Sequence, residues 1–125
     1  MAYHVEREEF EKIAEEALHA IPKRYLRHFK NLTIRVEDYP GDEAADLAGI
    51  PKNELLGLFT GGGYPASGTF FDIPPPVPDA IVLYQRNIES ICGSKNDLVE
   101  EIRLTLVHEV GHYFGMSDEE LRQYE

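Results

Sequence analysis

Two histidines and a glutamate near the C-terminus have the residue types and the spacing of a metal site. His108, Glu109 and His112 form the pattern H-E-x-x-H. On an α-helix, residues four apart differ by about 40° of rotation and about 6 Å of rise, so the two imidazoles can converge on one ion. Glu109 lies about 60° round the helix from His112 on the same geometry. Its carboxylate can therefore reach a water on that ion without binding the metal.

Zinc suits this pair of imidazoles, and the glutamate adds a possible reaction. With three protein ligands and one open position, zinc lowers the pKa of its bound water to about 7. A carboxylate beside that water can take up the proton and pass it on. The pattern therefore predicts a Zn²⁺ site with His108 and His112 as ligands and Glu109 as general base and acid. The alternative interpretation is an amphipathic helix with two incidental histidines.

A long helix is predicted to position these residues. In "SKNDLVEEIRLTLVHEVGHYFG" the apolar residues recur at helical spacing. The predicted buried face consists of Ile102, Leu106, Val110 and Tyr113 or Phe114. Asp97 is predicted to cap the N-terminus, and Glu100 completes a capping box. Gly115 stands where a helix C-terminus favours a left-handed residue.

The rest of the chain predicts an N-terminal helical region, three strands and a long loop. Residues 6–29 have helical periodicity that Pro22 interrupts. The predicted strands are "NLTIRVED", "LLGLFTGGG" and "DAIVLYQRNIE". A loop with a short helical turn is expected between the first two strands. Residues 61–78 are rich in proline and glycine, which predicts a loop without a regular ladder.

A wider resemblance becomes visible once the motif is extended. His108, Glu109, His112, Gly115 and Asp118 fit H-E-x-x-H-x-x-G-x-x-[HD], the zinc motif of metzincin-like peptidases. The sequence also resembles a family of short bacterial proteins called minimal zincins, over "FEKIAEEALHAIP", "LLGLF", "DAIVLYQRNIE" and "LTLVHEVGHYFGMSDEEL". This resemblance implies an α+β fold, in which a three-stranded mixed sheet carries the motif helix. It also implies a peptidase-like site with Asp118 as the third zinc ligand.

Asp118 has a second interpretation that the sequence leaves open. After Gly115, "SDEE" can form a capping box with Ser117 as the cap and Glu120 at the third position. Asp118 would then be an acid in the first turn of a helix, where the helix dipole favours it. Both roles can hold together. As a ligand, Asp118 would add negative charge and leave the pKa of the zinc water higher than three histidines do.

Other side chains could assist the site, but simpler roles are expected for them. The histidines outside the motif are His4, His19 and His28. Each could replace Asp118 as third ligand, although surface or capping roles are favoured. Tyr64 and Tyr84 could donate a hydrogen bond to an oxyanion, although packing is favoured for both. Cys92 has no partner for a thiol mechanism and is predicted to be buried.

Composition and charge narrow the class of protein. The 125 residues suit a single domain, and 12 basic against 23 acidic residues give a net charge of −11. Nucleic acids and anionic membranes attract clustered positive charge, whereas the longest basic run here is "KR". The N-terminus lacks the apolar segment of a signal peptide, and no stretch reaches the roughly 18 apolar residues of a membrane span. With one cysteine, the chain is predicted to be cytoplasmic.

Three functions are compatible with these observations. The favoured hypothesis is a zinc-dependent metallopeptidase-like hydrolase, because metal binding alone does not need Glu109. The alternative is a zinc-binding peptide-recognition protein with little or no turnover. The few residues after Asp118 favour this alternative. We expect no Met-turn among them, whereas metzincins carry one. A metal-dependent ribonuclease is less favoured, because the small bacterial family with a similar helix has glycine at the position of Glu109.

The predicted partner is an extended peptide or protein substrate. Residues 80–86 are predicted to form the edge of the sheet that faces His108 and His112. A peptide could pair with such an edge by main-chain hydrogen bonds, with pockets for alternate side chains. The acidic balance of the chain favours basic or neutral peptides over acidic ones.

Overall fold

A computed structural model of the protein describes residues 2–27, 31–60 and 79–113, together with Glu119. In chain order the elements are α1 (Arg7–His19), α2 (Lys23–Leu26), β1 (Thr33–Glu37), α3 (Asp42–Ala48), β2 (Gly57–Thr60), β3 (Ala80–Tyr84), α4 (Gln85–Ser90) and α5 (Lys95–Tyr113). The architecture is α+β, as expected. No helix in these ranges is long and apolar enough to cross a membrane. The predicted loop at 61–78 lies outside the described residues.

The sheet has three strands in the order β1-β3-β2. β1 runs parallel to β3, and β2 runs antiparallel to it. The prediction that residues 80–86 form the sheet edge is therefore wrong, because β3 is paired on both sides. All five residues of β3 are buried, as expected of a strand that is covered on both faces and both edges.

Two further boundaries differ from the predictions. The third strand ends at Tyr84, and the polar segment after it forms α4 instead of continuing the strand. The expected short helical turn is the longer helix α3, which ends at Ala48 and is followed by Gly49 with a left-handed φ of 69°. Glycine adopts that conformation without the steric cost that a side chain brings.

Helices cover both faces of the sheet. α1, α4 and α5 pack on the face of Ile81 and Leu83, and form the larger hydrophobic core. Val82 and Tyr84 point to the opposite face, where Leu55 and the alanines of α3 cover them. The alternation follows from the two-residue repeat of a strand.

The predicted buried face of the last helix is largely confirmed. Ile102, Leu106 and Val110 lie in the larger core. Tyr113 is 45% exposed, and Phe114 lies outside the described residues. Cys92 is buried in the same core, as expected, and burial raises the pKa of its thiol to about 11.

The short helix α4 organises the turn that precedes β2. The Asn87 side chain is buried, and its amide nitrogen donates to the main-chain oxygens of Lys52 (2.7 Å) and Leu55 (2.8 Å). These two bonds fix the chain immediately before Gly57. α4 therefore helps to set the position of β2, the strand that lies beside α5.

Candidate metal centre

The helix that carries the motif begins one turn earlier than its predicted cap. The hydroxyl of Ser94 accepts a hydrogen bond from the main-chain N–H of Asp97 at 3.1 Å. The carboxylate of Asp97 accepts one from the N–H of Gly93 at 3.1 Å. The capping residue is thus Ser94, and the prediction of Asp97 and Glu100 as a capping box is wrong. Glu100 instead pairs with Arg103 on the helix surface.

The two histidines of the motif lie on one side of α5. The ring centroids of His108 and His112 are 6.1 Å apart, and the rings are inclined by 52°. Since zinc–nitrogen bonds measure about 2.0–2.1 Å, two imidazoles on one ion have centroids about 5–6 Å apart. The separation of 6.1 Å lies just above this range, so the two rings are close to the spacing that a shared zinc ion requires.

Glu109 lies between α5 and the edge of the sheet. One carboxylate oxygen, Oε1, accepts a hydrogen bond from the main-chain N–H of Phe59 on β2 at 2.8 Å. The other, Oε2, lies 3.5 Å from Nδ1 of His112. With that nitrogen facing the carboxylate, Nε2 is the nitrogen of His112 that would take a metal. Such an outer partner orients a histidine ligand.

The environment of Glu109 favours its protonated form. Its side chain is only 16% exposed, and burial raises the pKa of the carboxyl above its ordinary value. The Phe59 N–H and the charges of His112 and His108 oppose this shift without cancelling it. A carboxyl with a raised pKa both accepts and returns a proton more readily near neutral pH.

The third ligand is not among the described residues. Within 2–27, 31–60 and 79–113, no group of three His, Cys, Asp or Glu side chains could hold a metal ion. Asp118, Gly115 and Ser117 lie outside these ranges, so the predicted ligand and its capping alternative both remain predictions. His28 and Tyr64 also lie outside them.

The other candidate residues do not join the histidine pair. Nδ1 of His4 lies 3.0 Å from the Glu89 carboxylate on α4, and His19 is exposed in the last turn of α1. Tyr84 is 2% exposed in the core on the α3 side of the sheet. The expectation of a packing role for Tyr84 is confirmed.

The edge strand contributes residues that the motif does not reveal. Phe59 supplies the main-chain donor to Glu109, and its ring lies 5.3 Å from that of Tyr113. Gly57 approaches the side chain of Thr105 on α5. A glycine inside a predicted strand is a known sign of a close approach, so "LLGLF" held a signal that could have located this contact.

Comparisons with known proteins give the fold and the family of the chain. No curated protein sequence matches the chain. A solved structure of a conserved hypothetical protein from Thermus thermophilus is similar in fold, with a TM-score of 0.60 and 22% identity over 88% of this chain and 94% of that one. The family model described as zincin-like metallopeptidase matches residues 29–125. That match includes the whole sheet and the motif helix, and the chain belongs to the zincin-like metallopeptidase family.

Proposed function

We propose that the protein is a zinc-dependent peptidase in which Glu109 serves as general base and acid. One observation carries the proposal above all. The Glu109 carboxylate is half-buried beside His112, and a main-chain donor from the edge strand holds it there. A helix with incidental histidines gives no reason for a half-buried carboxylate at that place, because burying a charge is costly unless it is paired and hydrogen-bonded.

Each residue has a part in the proposed reaction. His108 and His112 would hold zinc, with Asp118 as the proposed third ligand. Bound zinc would supply Lewis-acid polarisation of the peptide carbonyl and lower the pKa of the attacking water. Glu109 would accept the proton of that water and then donate it to the departing amine nitrogen. The raised pKa of its carboxyl suits the second of these transfers.

The proposed substrate is an extended peptide, bound beside the edge strand. β2 is the edge of the sheet next to α5. A peptide can add to such an edge by main-chain hydrogen bonds, here through groups of β2 other than the N–H of Phe59, which donates to Glu109. The expected binding edge is therefore β2 in place of residues 80–86. The net charge of −11 favours basic or neutral peptides. The proposed setting is a cytoplasmic protein with one domain.

The roles of the motif residues can be separated with single substitutions. Glu109→Gln should bind one zinc per chain, as the parent protein does, and lose peptide cleavage by about 100-fold or more. His108→Ala should lose the zinc itself. Glu100→Gln is the matched control, because this carboxylate is exposed on the same helix. Metal analysis and cleavage of a diverse peptide library are the measurements.

Three outcomes would contradict the proposal. Absence of zinc uptake by the parent protein would remove the metal site. Cleavage by Glu109→Gln at the rate of Glu100→Gln would remove the assigned role of Glu109. If zinc binds and no peptide in the library is cleaved, a binding protein without turnover becomes the better description.

The third ligand needs its own comparison. Asp118→Ala should weaken zinc affinity by at least about 10- to 100-fold, the loss typical when only an outer partner of a metal ligand is removed. Glu119→Ala and Glu120→Ala remove neighbouring carboxylates and serve as controls. Equal and small effects from all three substitutions would favour the capping-box role for Asp118.

A further inference from the structure

β2 and α5 lie side by side with matching repeats. Gly57 faces Thr105, while Phe59 contacts both Glu109 and Tyr113. Two residues of a strand advance about 6.6–6.8 Å, and four residues of a helix advance about 6 Å. Two residues along β2 therefore cover about the same length as one turn of α5. As a result, a single alignment of the strand with the helix brings Gly57 to Thr105 and Phe59 to Glu109.

Gly57 allows the closest approach in this register. A Cβ atom at this position would lie 2.8 Å from Cγ2 of Thr105 and 3.1 Å from the main-chain oxygen of Val82. The methyl group of Thr105 is held in place, because the hydroxyl on the same carbon donates to the main-chain oxygen of Glu101 at 2.9 Å. Any side chain at position 57 would have to push β2 and α5 apart.

The N–H of Phe59 is not needed by the sheet. The N–H of Tyr84 donates to the oxygen of Leu56 at 2.9 Å, and antiparallel pairs alternate between bonded and non-bonded positions. Since Phe59 lies opposite Ile81, three residues after Leu56, it occupies a non-bonded position, and its N–H points away from β3. That outward N–H is the group that donates to Glu109.

We propose that Gly57 and the main-chain amide of Phe59 are positioning groups for Glu109. The missing side chain at Gly57 lets β2 close on α5, and the amide then holds Oε1 of Glu109 so that Oε2 faces the histidine pair. The inference rests on the proposed function only where it treats Glu109 as the general base. The placement of the carboxylate is a separate matter, and it can be measured without any reaction.

The decisive variant is Gly57→Ala, with Gly41→Ala as the matched control. A Cβ at Gly41 meets nothing within 4 Å, so the same chemical change is made without a clash. Thr105→Ser combined with Gly57→Ala removes the clashing methyl group and keeps the hydroxyl. This double variant should recover part of what Gly57→Ala loses, because the contacts with the Val82 oxygen at 3.1 Å and with Cδ2 of Leu83 at 3.3 Å remain.

Hydrogen exchange of the Phe59 amide, followed by NMR on the full chain, is the first readout. The amide should exchange about tenfold faster in Gly57→Ala than in the parent protein, because its acceptor has moved away. It should keep the parent rate in Gly41→Ala and recover in the double variant. Unchanged exchange in Gly57→Ala would overturn the proposal, whether or not the protein cleaves peptides.

Kinetics of the zinc-loaded protein are the second readout. Gly57→Ala should lower kcat by about 10- to 100-fold, with KM and zinc content close to the parent values. If Gly57→Ala does not fold, phenyllactate in place of Phe59, introduced by stop-codon suppression, is the second variant. It replaces the N–H by an ester oxygen, without changing the side chain, and should have the same effect on kcat. A parent protein that never cleaves peptides would defeat the proposed function alone. Parent-like kcat in these folded variants would defeat the positioning role.

Discussion

The carboxylates of Glu89 on α4 and Glu109 on α5 each lie against the main chain of a neighbouring segment. Glu89 is fully buried. One oxygen accepts from the N–H of Val5 and the amide of Gln85, both at 3.0 Å. The other lies 3.0 Å from Nδ1 of His4 and 3.4 Å from the guanidinium of Arg86. Four donors thus surround one carboxylate and tie the N-terminal segment to α4.

Among the described residues, Glu109 has the same kinds of partner but fewer of them. The main-chain N–H of Phe59 donates to Oε1, and Nδ1 of His112 lies at a longer 3.5 Å from Oε2. Its pKa is raised, because the desolvation of the carboxylate outweighs these partners. The desolvation of Glu89 is larger than any single opposing effect, yet its donors together lower its pKa. The number and closeness of the donors decide the direction.

This difference separates a structural carboxylate from the one that we propose is reactive. Glu89 is held in its charged form, which suits a group that joins segments of the fold. The charged form of Glu109 is stabilised less, but the hydrogen bond from Phe59 fixes the position of its carboxylate. This combination suits a group that must gain and lose a proton. Perturbed carboxyls of this second kind are common at functional sites.

The largest expected effect is the loss of stability on replacing Glu89. Glu89→Gln exchanges an acceptor for a donor among buried donors, and should lower the free energy of unfolding by about 3 kcal/mol. Glu109→Gln should lower it by less than about 1 kcal/mol, because its carbonyl can still accept from Phe59 while a desolvated charge is removed. Urea denaturation of the metal-free proteins measures both. Equal losses would abolish the distinction between the two carboxylates.

A smaller effect is expected from the pH dependence of the same stability. The pKa of Glu89 in the folded protein lies below its ordinary value of 4.5. Its contribution is therefore complete above that value and is lost as the pH falls through the folded pKa. The stability gap between the parent protein and Glu89→Gln should be constant from pH 7 to about 5.5 and should narrow below about 4.5. A gap that widens on acidification would show that the sign assigned to Glu89 is wrong.

The smallest effect is expected for a carboxylate that is not among the partners of Glu89 or Glu109. Asp42 pairs with Lys52 at 2.5 Å, and this hydrogen bond lowers the pKa of its carboxyl. The side chain of Asp42 is nevertheless 83% exposed, and exposed ion pairs contribute little. Asp42→Asn should leave the urea midpoint unchanged within error. A loss comparable to that of Glu89→Gln would mean that burial is not what distinguishes these carboxylates.

The predictions that held depend on local patterns. The helix around Ile102, Leu106 and Val110 follows from the helical spacing of these apolar residues, which can be recognised without knowing the rest of the fold. The three strand segments were located in the same way. The errors concern choices between local options. Ser94 and Asp97 are both good capping residues, and only the turn before α5 selects Ser94.

Strand order and the start of α4 needed more than local information. The apolar sequence of β3 does not indicate which strands lie beside it. For this reason residues 80–86 were wrongly predicted to form the edge of the sheet. The segment from Gln85 is polar yet buried. Its Gln85 and Asn87 side chains donate hydrogen bonds to the main-chain oxygens of Val5 and Leu55, which are distant in sequence. No local pattern indicates these partners.

By itself, the sequence determined that His108, Glu109 and His112 share one end of a helix, because helical geometry depends only on spacing along the chain. It also determined that the chain is acidic and that it has a single cysteine, which was expected to be buried. Only the tertiary structure decided that β2 is the edge beside that helix and that Phe59 holds Glu109. The two residues are 50 positions apart, and their contact arises from the packing of a strand against a helix, which a linear pattern does not specify.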